Sequence, residues 1–78
     1  MDDWPERYSA ALGLELTDDE IDAVLDLARD VAHGTERRFA PLSAYLAGKF
    51  VTRRRNEGVT TTDAVHEAQE VVGRLLNQ

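Results

Sequence analysis

The sequence predicts a small all-α domain, an antiparallel four-helix bundle, and three observations predict it. Apolar residues recur at helical spacing in every segment, and no segment alternates as a strand does. A capping residue or a proline precedes each apolar run. The breaks between runs are short, which makes sequential helices antiparallel neighbours.

The first helix is expected from about Asp3, with Pro5 in its first turn, where a missing N–H costs nothing. Trp4, Tyr8, Ala11 and Leu12 share one face, and Gly13 is a natural stop. The second start is the clearest signal in the chain. Thr17-Asp18-Asp19-Glu20 has the form of a capping box, and Leu16 and Ile21 stand where a hydrophobic staple needs them. Ile21, Val24, Leu25, Ala28, Val31 and Ala32 continue that stripe to Gly34. A third helix is expected from Pro41, turning Leu42, Tyr45, Leu46 and Phe50 inward until Asn56-Glu57-Gly58. The fourth runs from Thr60 with Ala64, Val65, Ala68, Val71, Val72 and Leu75 on its core side. From these stripes the expected core contains Leu12, Ile21, Leu25, Leu46 and Val72.

Ala40, Ala44 and Gly48 recur every four residues on the third helix, with Ala47 beside them. Such a strip lets another helix approach closely, which suits a tight crossing inside the fold and, as the minority reading, a homodimer through this helix. A glycine inside a helix costs roughly 0.5–1 kcal/mol relative to alanine, so a close contact is expected at Gly48.

The chain of 78 residues makes one domain, residues 1–78. A chain this short buries only about 60% of the surface that its unfolded form exposes, which leaves little room for an enclosed active site. There is no cysteine, hence no disulfide framework and no thiolate metal site. The acidic start Met1-Asp2-Asp3 is unlike a secretory signal, and no apolar run is long enough to span a membrane. A cytoplasmic protein without a membrane partner is the expectation.

Charge is distributed unevenly along the chain. The formal net charge is -6, which disfavours non-specific nucleic-acid binding. Residues 1–30 hold ten acids against Arg7 and Arg29, whereas residues 31–56 hold Glu36 against Arg37, Arg38, Lys49, Arg53, Arg54 and Arg55. An acidic chain with a basic middle either pairs with itself or offers that middle to an anionic partner. For Arg53, Arg54 and Arg55 the expected partners are Asp18, Asp19 and Asp22 of the neighbouring helix. Such exposed pairs contribute only about 0–1 kcal/mol each.

Chemical motifs are few. Asp18-Asp19-Glu20-Ile21-Asp22 matches the Asp-rich pattern of prenyl synthases, but those carboxylates fall in a first helical turn, where the helix dipole favours them. Asp30-x-x-His33 is echoed by Asp63-x-x-His66, as in di-iron bundles. The third helix carries no acid between Pro41 and Asn56, so the ligand set is incomplete and no metal is expected. No Cys–His pair, phosphate loop or nucleophile elbow occurs, so no catalytic or cofactor-binding residue is named. The site candidates are His33, Arg37, Arg38 and Ser43, at a corner before a helix N-terminus whose free N–H groups attract anions. The plainer reading pairs these arginines with Asp30 or Glu36.

The order Leu25-Asp26-Leu27-Ala28-Arg29-Asp30-Val31-Ala32-His33, then Arg37, then Ala40-Pro41, a helix reaching Gly48, and a last Ala/Val/Leu helix resembles a small bacterial domain of unknown function. That domain occurs alone or joined to proteins of molybdopterin-guanine dinucleotide biosynthesis. The resemblance runs from Trp4 to Leu76 and matches Trp4, Leu12, Asp26, Leu27, Ala28, His33, Arg37, Ala40, Pro41, Leu42 and Gly48. It departs at Arg38, where the family places proline, and at Phe39, where it places alanine, so this corner is bulkier and more basic. The resemblance implies a role near molybdenum cofactor assembly and transfers no catalytic residue. Three classes stand open: a non-enzymatic accessory module docking on a cofactor-biosynthesis protein or a molybdoenzyme, which is favoured; a binder of a nucleotide or other anion at the corner; and a nucleic-acid binder at Arg53–Arg55.

Replacing the second helix's cap tests the reading of its start. Thr17→Ala should lower the unfolding free energy by roughly 0.5–2 kcal/mol, measured by urea titration. An unchanged midpoint would mean that this helix starts elsewhere.

Overall fold

The computed structural model describes residues 3–77, and Met1, Asp2 and Gln78 lie outside the described residues. It consists of four helices, α1 (Trp4–Ala11), α2 (Asp18–Gly34), α3 (Phe39–Asn56) and α4 (Thr61–Leu76), with no strand among the described residues. The all-α, four-helix class read from the sequence is what the chain adopts.

The boundaries have local causes. Thr17 is extended (φ -87°, ψ 161°) and its hydroxyl accepts from the Glu20 amide at 3.2 Å, as the capping motif requires. Thr60 does the same for α4, accepting from the Asp63 amide at 3.2 Å. At the other ends, Gly13 (φ +73°) and Gly58 (φ +94°) occupy the left-handed region. Each closes a Schellman motif: Leu14 N–H donates to the Ser9 carbonyl, and Val59 N–H to the Arg54 carbonyl. The end of α2 works differently. Thr35 donates to the Val31 carbonyl from both its amide (2.9 Å) and its hydroxyl (2.7 Å).

The helix α3 begins two residues before the Pro41 expected from the sequence. Phe39 and Ala40 donate to the carbonyls of Glu36 and Arg37, so a tight turn runs directly into the helix. Proline is tolerated in a first helical turn as well as at its first position, because those N–H groups lack intrahelical partners anyway.

The three long helices α2, α3 and α4 pack against one another, while α1 packs against none of them and buries no residue. The molecule measures 38 × 33 × 17 Å. The buried residues are Ala23, Leu27, Val31, Ala47, Ala64, Val65 and Ala68. Four of those seven are alanines, so the helices meet nearly backbone to backbone, with Leu27 at the centre at 1% exposure.

That packing corrects several expectations. Ile21 and Val72 are half-buried, but Leu12 (54% exposed), Leu25 (63%) and Leu46 (62%) lie on the surface. On α2 the inward line is Ala23, Leu27 and Val31, spaced by four, rotated from the stripe through Leu25. On α3 Ala47 is buried, Ala40 and Ala44 are half-buried, and Gly48 is exposed. A Cβ added at Gly48 would meet nothing within 4 Å, so the close contact expected there is not made. Nor do Asp18, Asp19 and Asp22 pair with Arg53, Arg54 and Arg55: no described ion pair joins α2 to α3, and Arg54 turns to α4 instead.

Two substitutions separate a position under packing constraint from one that is free of it. Leu27→Ala should cost about 2–5 kcal/mol, because the hole it leaves is walled by helices already in contact. Gly48→Ala should instead stabilise by about 0.5–1 kcal/mol. Denaturant unfolding of both variants checks the pair.

Candidate functional site

The basic corner lies between α2 and α3. His33, Arg37 and Arg38 are all exposed there. Arg38 is already engaged, with its Nε 3.3 Å from the Glu36 carboxylate and its guanidinium 5.1 Å from the Phe39 ring centre. The amides of Phe39 and Ala40 are spent in the turn, and Pro41 has none. An anion would therefore meet fewer free N–H groups than a helix N-terminus ordinarily offers. Ser43 makes no described hydrogen bond to His33, Arg37 or Arg38 and shares a hollow with Thr35 and Phe39. It is half-buried and lines a groove between α3 and α4.

That groove is lined almost wholly by apolar side chains. Leu27 and Val31 of α2 form its floor, Phe39, Leu42, Leu46 and Phe50 of α3 one wall, and Val71, Val72 and Leu75 of α4 the other. Two hollows of about 290 and 380 Å3 share Ser43, Leu46 and Val72, so they form one open trough. Its polar side chains are Ser43 and Thr35, and the Thr35 hydroxyl is committed to the Val31 carbonyl. No titratable side chain lines either hollow. A small-molecule site sets a few convergent polar groups in an apolar wall, and a hydrolytic site adds a base beside its nucleophile. Ser43 has neither arrangement around it. The trough is suited to covering apolar side chains.

The sequence reading assigned most of these wall residues to the interior. The signal that distinguishes them is that α3 carries more apolar circumference than one contact face can bury, with Phe39, Leu42, Tyr45, Leu46, Ala47, Phe50 and Val51 spread around it.

Beyond the groove, Arg54 bridges α3 and α4. Its Nε and Nη2 donate to the two Glu67 carboxylate oxygens at 2.8 and 3.2 Å, and its Nη1 donates to Glu57 at 2.9 Å. The two-pronged fit to one carboxylate is the strong form of this interaction. Hydrogen bonding from Arg54 is the main cause that holds the Glu67 carboxyl below its ordinary value, against the opposing effect of partial burial. Bonds to Glu67 and then to Glu57 hold the Arg54 proton more tightly than usual. The pair is still 31% and 37% exposed, so solvent screens it. Asp63 and His66, with Glu67 and Glu70, line a shallow polar depression at the start of α4. Asp30 and His33 are exposed near the end of α2, and no group of three such side chains comes together as a metal site among the described residues.

Because the folded-state carboxyl of Glu67 is depressed, its contribution is present at neutral pH and is lost as the pH falls below the ordinary glutamate value of 4.5. Glu67→Gln should therefore unfold at lower urea than the parent at pH 7, and the gap should close in acid. A gap that persists in acid would assign the effect to packing rather than charge.

Neither a curated protein nor a solved structure shows a significant match to this chain. A family model described as a domain of unknown function, DUF6457, matches residues 1–78, so an all-α body with an open apolar groove, a latched α3–α4 pair and a basic corner is the form of a chain that belongs to the DUF6457 family.

Proposed function

We propose that this chain is a non-enzymatic interaction module. The observation that carries the reading is the α3–α4 groove, an apolar trough without a titratable side chain in its walls. Contiguous exposed apolar surface of this kind marks association rather than turnover. The partner is a protein of molybdopterin-guanine dinucleotide biosynthesis or a molybdoenzyme, a reading supported by the sequence resemblance over Trp4–Leu76. The corner formed by His33, Arg37 and Arg38 supplies the polar part of that contact, because its positive potential suits a carboxylate-rich patch. The module acts in the cytoplasm, a reading supported by the cysteine-free sequence. No helix of the described residues is long and apolar enough to cross a membrane.

A nucleotide or other anion at the corner is the alternative, favoured by the exposed Arg37 and opposed by the engagement of Arg38 with Glu36. Nucleic acid at Arg53 and Arg55 is the third reading, and the net charge of -6 opposes it. A homodimer through Ala40, Ala44 and Gly48 has less support, since Gly48 faces open space and the larger apolar surface lies on the groove side.

The test is calorimetric titration of the purified chain with the guanylyltransferase of molybdopterin-guanine dinucleotide biosynthesis from the same organism, and separately with GTP. We expect binding to the protein and none to the nucleotide. Arg37→Ala with Arg38→Ala should weaken the complex about tenfold while leaving the circular dichroism unchanged. Nucleotide binding lost in the same double variant would favour the anion-binding reading instead.

A further inference from the structure

We infer that the groove between α3 and α4 receives α1 from a second copy of this chain. The inference rests on reading the groove as an association face, and it names the occupant.

Two incomplete surfaces in one molecule point to each other. The helix α1 is eight residues long and buries nothing. Helices below about 12–15 residues are marginal in water without a surface to pack on. Tyr8, Leu12 and Leu14 are all more than half exposed. The Trp4 and Tyr8 rings stack at 5.5 Å on the same side of the helix, so this face is an assembled apolar ridge. The groove is its counterpart. It extends along α3 from Phe39 to Phe50, about 17 Å at helical rise, and an eight-residue helix needs about 12 Å.

Charge agrees with shape. The segment that contains α1 carries Asp3, Glu6 and Glu15 against Arg7. Beside the groove, Arg38 and Arg53 lie over the Phe39 and Phe50 rings on the α3 side, and Arg74 stands with Glu67 and Glu70 on the α4 side. The acids that flank α1, Asp3 and Glu15, thus meet basic side chains on the α3 side of the groove. Beyond the Schellman turn at Gly13, α1 makes no contact with α2, α3 or α4, so another molecule can take it. Reciprocal exchange between two copies closes the arrangement with two-fold symmetry and covers both grooves.

Trp4 is the single tryptophan of the chain, so its fluorescence reports on α1 directly. Light scattering and sedimentation of the full chain should show a dimer. On dilution, Trp4 emission should move to longer wavelength as the dimer dissociates. Leu46→Asp in the groove and Tyr8→Ser on α1 alter exposed positions, so helical content should not change. Each should raise the dimer dissociation constant at least tenfold. An equimolar mixture of the two variants should recover association, because one supplies an intact α1 and the other an intact groove.

Three results would overturn the inference. One is a monomer at all concentrations, whether Trp4 is shielded by its own groove or exposed. Another is a dimer that Tyr8→Ser leaves unchanged. The third is a mixture without recovery, which would mean that α1 of one copy does not meet the groove of the other. A monomer whose partner complex still depends on Arg37 and Arg38 removes this inference alone. A dimer that binds no cofactor-biosynthesis protein removes the choice of partner alone.

Discussion

The smallness of the interior side chains is the constraint on which the rest of the structure depends. Leu27 and Val31 cluster with Ala47 and Ala68, and Ala23 and Ala64 are buried as well, so α2, α3 and α4 meet through small side chains. Close-packed interiors have no spare room for a side chain of ordinary size. Leu25, Leu42, Leu46 and Leu75 are displaced to the surface for that reason, and they remain exposed. The groove is therefore a consequence of the tight core: α3 and α4 touch α2 through alanines and present their larger residues at the open seam between them.

Electrostatics reinforces this arrangement rather than creating it. Arg54 holds Glu67 across the seam with two donors and ties Glu57 at the end of its own helix with a third. The rigid fork of a guanidinium makes all three bonds at once, which an ammonium could not reproduce with the same geometry. The latch sits beside Phe50 and Val71, beyond one end of the apolar trough. Its partial exposure keeps its contribution modest, so the fold still rests mainly on burial around Leu27.

The proposed function follows from what each surface can do. A trough without titratable walls can exclude water from apolar groups, and little else. A corner whose amides are consumed by its own turn retains two arginine side chains and a histidine, which suit a protein surface better than a bound phosphate. Self-association through the trough reaches that corner at Arg38, whose guanidinium lies over the Phe39 ring at the trough's end, and leaves His33 and Arg37 outside the trough's lining.

The sequence by itself determined that the chain is helical, how many helices it has, and nearly all their ends. The reason is that caps and stops are local: Thr17, Thr60, Gly13 and Gly58 satisfy backbone groups within five residues of themselves. It also named Arg37, Arg38 and His33 as a basic corner, since neighbours in sequence at a turn remain neighbours in space. Which apolar residues face inward was decided by the tertiary structure. Both Leu25 and Leu27 fit a helical stripe on α2, and only contact with Ala47 and Ala68 selects Leu27. The same holds for Arg54, whose partner was expected on α2 and stands on α4. Periodicity specifies that a helix has an apolar side, whereas the rotation that turns one stripe inward depends on how closely its neighbours can approach.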